Sequence, residues 1–142
     1  ATTAACGRGC GIPLSAVEKA RSMVRRHEQS FKKAHTEGLA IALGTDAGTP
    51  FNYHGDNAQE LERMVRLGMT PMEAIIAATS SAARLLGIER DKGTIEVGKV
   101  ADLLIVEGNP VRRIDLLMKK DRIAGVMRGG QFVAGPLARS KP

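Results

Sequence analysis

Residues Gly38–Pro50 read GLAIALGTDAGTP, and this stretch decides the fold class. Leu39-Ala40-Ile41-Ala42-Leu43 is a short apolar run without alternation. Such a run predicts a strand buried on both faces, the pattern of a parallel sheet. It stops abruptly at Gly44-Thr45-Asp46-Ala47-Gly48. A carboxylate at that point lies at the C-terminal edge of the predicted strand, where active sites of α/β folds collect. Asp-x-Gly is equally ordinary turn chemistry. From these residues alone, Asp46 reads as either a turn former or a catalytic acid.

Before the run, Val17, Ala20, Val24, Phe31 and Ala34 recur at helical spacing, with basic residues on the other face. Ser15 and Glu18 have the spacing of a capping box, and Gly38 provides a stop. After the turn, Leu61, Met64 and Val65 form the apolar stripe of a second helix ended by Gly68. Thr70-Pro71-Met72-Glu73 is a start signal, with Thr at the N-cap, Pro at N1 and Glu at N3. Met72, Ile75, Ile76 and Thr79 give that helix its expected inner face. Ser80 or Ser81 is the expected cap of a further short helix, closed by Gly87. Helices alternating with a buried strand define an α/β architecture.

The last third follows another pattern. Ile95 and Val97 alternate with polar residues, Gly98-Lys99 marks a turn, and 101–106 reads as a strand. Ile123–Met127 and Gln131–Val133 flank Arg128-Gly129-Gly130, a hairpin signal. This antiparallel unit is set off from the helical part near 86–92.

Composition narrows the function classes. The 142 residues carry a net charge of +6, with 43% hydrophobic and 3% aromatic residues. Six basic residues lie between Lys19 and Lys33, but Glu18 and Glu28 interrupt them and no nucleic-acid signature accompanies them. They read as a solvated helix face, so no nucleic-acid partner is expected. No apolar run reaches membrane-spanning length, so no membrane association is expected. Cys6 and Cys10 are too few and wrongly spaced for a zinc knuckle or a disulfide framework. With no signal-like segment at the start, they point to the cytoplasm. The chain starts on Ala1, without a methionine, as a segment of a longer protein does. His27 and His35 are spaced eight apart on the first helix, which suits structural roles, along the buried seam and at the helix C-terminus respectively. His54 lies in the loop with Asn52 and Asp56. There is no nucleophile elbow, P-loop or dinucleotide fingerprint. One loop histidine and one carboxylate do not complete a catalytic constellation.

Three motifs in fixed order, GTDAG (44–48), GMTPMEAIIAAT (68–79) and GTIEVGKVADL (93–103), resemble the C-terminal part of amidohydrolase superfamily enzymes. The resemblance runs from about Gly11 to Val133 and is nearest to the imidazolonepropionase-like and Xaa-Pro dipeptidase-like branch. It implies an α/β chain that is the C-terminal fragment of a metal-dependent (β/α)8 barrel plus part of a small β-sandwich. Residues 1–90 then hold the last barrel strand and its helices, and 91–142 part of the sandwich. By this resemblance Asp46 is the acid ending the eighth strand, both a metal ligand and the catalytic proton acceptor, and His54 binds substrate. A divalent metal, zinc first, is implied for the full-length parent and none for this chain alone, because the family's other ligands lie upstream.

The implied activity is hydrolysis of C–N bonds in a small molecule or dipeptide, as in a dipeptidase releasing a C-terminal amino acid. Cyclic-amide ring opening or deamination is the alternative within the superfamily. A catalytically inactive, self-associating fragment is the alternative outside it. Unpaired strand edges favour a homo-oligomer.

Overall fold

The computed structural model describes residues 13–48 and 52–138. The two cysteines lie outside the described residues. Helix α1 spans Leu14–Thr36, α2 Ala58–Arg66, α3 Pro71–Ala78 and α4 Ser80–Leu85. Strands β1 (Leu103–Val106), β2 (Ile123–Arg128) and β3 (Gln131–Ala134) form one antiparallel sheet in the order β1-β2-β3. Two short 3-10 turns, Ile114–Met118 and Lys120–Arg122, connect β1 to β2. No helix among the described residues is long and apolar enough to cross a membrane.

The expected strand at 39–43 is not formed. Residues 39–46 make no ladder, because no described strand lies beside them. They are anchored by side-chain packing instead, and by main-chain bonds in which Leu39 N–H donates to the Ala34 carbonyl (3.0 Å) and Leu43 N–H to the Ala77 carbonyl (2.9 Å). Ile41 and Leu43 pack against a core of Leu61, Met64, Met69, Ala74, Ala77 and Ile114. That core gathers α2, α3 and the Ile114–Met118 turn around the apolar run.

The inner face of α3 is the expected one only in part, at Ile75, which packs against the core. Ala74 and Ala77 are fully or nearly fully buried, whereas Met72 and Ile76 stand exposed. The Ala77 carbonyl on this face accepts the Leu43 N–H bond. Helix α1 starts one residue before Ser15, with Pro13 at its N-cap position and no side-chain cap, so the Ser15–Glu18 box is not used. At α4 the N-cap position falls to Thr79, whose hydroxyl donates to the Ile75 carbonyl rather than capping the helix that follows. His27 is exposed and not in a buried seam.

The predicted capping box of α3 is present. Thr70 Oγ1 accepts from the Glu73 N–H (3.2 Å), and Thr70 N–H donates to Glu73 Oε2 (2.6 Å). These bonds to Thr70, backbone first, lower the Glu73 carboxyl below its ordinary 4.5, with His35 at 3.5 Å adding to the effect. A lowered carboxyl stabilises the fold fully above its unfolded value, and that stabilisation is lost as pH falls through the folded value. Thr70→Ala is therefore expected to cost about 1 kcal/mol at neutral pH. The deficit relative to wild type should shrink once the pH drops below 4.5. Urea unfolding at pH 7 and pH 3 checks this.

The hairpin forms as expected, with Gly129 and Gly130 both at positive φ (55° and 82°), as a two-residue primed turn requires. Asp102 ties that turn down, its Oδ1 accepting from the Gly129 N–H (2.8 Å) and its Oδ2 meeting Lys92 Nζ (2.5 Å). The Lys92 bond, then the Gly129 bond, holds its carboxyl below the usual aspartate range. Strand β1 is shorter than read from sequence. Ile95 and Val97 form no strand and are open to solvent, as are Leu85 and Leu86.

Candidate active site

Asp46 stands three residues beyond Leu43, so its backbone rises directly from the packed core. It is exposed and is the one non-glycine residue at positive φ (49°) among the described residues. Aspartate and asparagine tolerate this left-handed conformation better than other side chains. The turn is braced from the far side by Asn52. Its side-chain amide donates to the Thr45 carbonyl (2.5 Å) and to the Asp46 carbonyl (3.0 Å), and its own carbonyl accepts from the Gly48 N–H (2.8 Å). His54 completes the cluster, since a methyl group placed on Gly48 would lie 3.2 Å from His54 Nε2.

The two sequence-derived site residues thus meet at one turn. Asp46 also faces an open groove of about 750 Å³ between α1, α2 and the 41–46 segment. Val24, His27 and Phe31 form one wall, and Thr45, Asn52 and Arg63 belong to the others. His35 is elsewhere, 3.5 Å from Glu73 Oε2 at the start of α3. Two participants escaped the sequence reading. Asn52 reads from sequence only as a loop neighbour, because bonds to carbonyls six and seven positions back leave no local sequence signal. His27 looked like a seam residue because periodicity gives a face, not the partner that covers it.

Among the described residues, no group of three or more His, Cys, Asp or Glu side chains is placed to hold a metal ion. A catalytic zinc site takes three protein ligands. Asp46 and His54 supply two donors at most, so the described residues do not by themselves fit such a site.

Residues 1–133 match the amidohydrolase family. The chain belongs to that family. Among its amidohydrolase relatives, ochratoxinase of Aspergillus niger is 33% identical over 130 residues, covering 90% of this chain and 26% of that protein. Imidazolonepropionase of Rubrobacter xylanophilus is 33% identical over 94 residues, covering 66% of this chain and 23% of the relative. Among solved structures, a Xaa-Pro dipeptidase with methionine bound in its active site superposes with a TM-score of 0.80 at 39% identity. That match covers 90% of this chain and 30% of the dipeptidase. This amidohydrolase chain therefore spans about a quarter of the length of the curated relatives it matches.

Proposed function

We propose that this chain contributes the C-terminal part of a (β/α)8-barrel hydrolase that cleaves C–N bonds of amides or peptides, with Asp46 as its catalytic carboxylate. The observation that carries this is the Asp46 turn itself. An acid is held in a left-handed conformation at the end of a core-anchored apolar segment, beside an open groove, within the region matched to the family. In this reading residues 39–43 become the last barrel strand once a neighbouring strand pairs with them. Residues 1–90 belong to the barrel, and 91–142 to a small β-sandwich. The exposed Leu85, Leu86, Ile95 and Val97 face the remainder of that assembly.

Hydrolysis of an amide needs a base to take a proton from the attacking water and an acid to return it to the leaving nitrogen. One exposed carboxylate can serve both steps in turn, and this is the role we assign to Asp46. His54, against Gly48, is assigned to substrate binding. Family members generally depend on a metal, and a divalent ion, zinc in our reading, belongs to the complete enzyme. Asp46 is the ligand this chain contributes to it.

The substrate we favour is a dipeptide from which the C-terminal amino acid is released, supported by the likeness to the Xaa-Pro dipeptidase. The imidazolonepropionase relatives support ring opening of a cyclic amide as the second reading. Incubating the complete enzyme with a panel of acyl-prolines, other dipeptides and cyclic amides separates them. Release of a free amino acid is the expected result. Turnover of cyclic amides alone would select the second reading, and no turnover of any amide would overturn both.

A further inference from the structure

We propose that Asn52 is the positioning residue of the Asp46 turn, its side-chain amide holding the carboxylate's backbone in the left-handed conformation from which it acts. This rests on Asp46 being the catalytic acid and adds the device that fixes it. The geometry is unusually complete for one side chain. An asparagine amide has two N–H donors, and here both go to successive carbonyls, those of Thr45 and Asp46. The same residue's main chain closes the bracket, its carbonyl accepting from Gly48 N–H. Residues on both sides of Asp46 are therefore tied to a single partner. Asn52 is itself half-buried, while Asp46 is exposed.

A non-glycine residue in the left-handed region stays there only where its surroundings impose it. The Leu43–Ala77 bond fixes the chain before the turn but does not set the rotation at residue 46. The Asn52 amide grips the carbonyl of residue 46 itself. Without it, Asp46 can relax to negative φ, which swings its side chain away from its position beside the groove. The role is that of a donor, so shape alone does not replace it. Aspartate at 52 has nearly the same outline but, when ionised, no hydrogen to give.

The test uses Asn52→Asp and Asn52→Ala in the complete enzyme, with the Asp46 intraresidue HN–Hα NOE measured by NMR in this chain. Both variants should lower kcat about tenfold to a hundredfold with KM nearly unchanged, since misplacing a reacting group costs on that scale. Both should also weaken that NOE, which is strong while positive φ holds the two protons close. An NOE that stays unchanged, a kcat within twofold of wild type for Asn52→Asp, or a loss confined to KM would overturn the proposal. In the wild-type chain, through-hydrogen-bond couplings from the Asn52 side-chain amide to carbonyls 45 and 46 are expected. Their absence also overturns it, and this measurement does not depend on any variant folding. Normal turnover by an Asp46→Asn enzyme would instead remove the catalytic reading, while the NMR result still decides the clamp.

Discussion

Asp46→Asn should lower kcat of the complete enzyme by about 10²- to 10⁴-fold, the usual contribution of a positioned acid–base group. The substitution is a clean one here. Asparagine accepts the left-handed φ of 49° as readily as aspartate, so the turn need not rearrange. The bonds from Asn52 go to main-chain carbonyls of residues 45 and 46 and do not use the side chain at 46. Asparagine cannot take a proton as the carboxylate does. Steady-state kinetics with matched urea-unfolding curves distinguish this from a folding defect. Activity within tenfold of wild type, at unchanged stability, would remove Asp46 from the chemistry.

The second large effect is on folding. Gly93 opens the GTIEVG motif and lies at φ 97° against α4. A methyl group there would come within 2.6 Å of Ala83 Cβ and 3.1 Å of both Ser80 Cα and the Thr79 carbonyl oxygen. Two of these three neighbours are main-chain atoms, which cannot rotate away as the end of a flexible side chain can. Gly93→Ala combines backbone strain with overpacking, each of which costs roughly 1–3 kcal/mol. A loss of about 3 kcal/mol in urea unfolding is expected. A change below 1 kcal/mol would mean that the segment after Lys92 separates freely from α4.

The parts of this molecule legible in the sequence are those governed by neighbours along the chain. The Thr70–Glu73 box, the Gly129-Gly130 hairpin and the Leu61/Met64 stripe each depend on residues a few positions apart, and each is where the pattern puts it. The misreadings concern partners distant in sequence. Leu39–Leu43 has the composition of a buried strand, but a strand is a property of a pair, and no described strand adjoins it. Met72 and Ile76 are apolar and helical, yet the surface that meets the core is made by Ala74 and Ala77 beside Ile75. Asp46 was singled out by its place after an apolar run and by family resemblance, whereas its torsion and its Asn52 support are visible only in three dimensions.

The core has one more implication. Ile114 is buried against Leu61, Met64 and Met69, residues that precede it by more than forty positions. The sheet-bearing half of the chain thus supplies part of the floor under the helical half. A truncation ending near residue 90 would leave that apolar floor open to water, beneath the same helices on which the Asp46 turn is mounted. Unfolding of the two halves should then be one cooperative event, with a single melting transition. Damage to the C-terminal sheet would reach the Asp46 turn through lost footing, without altering any residue of the turn itself.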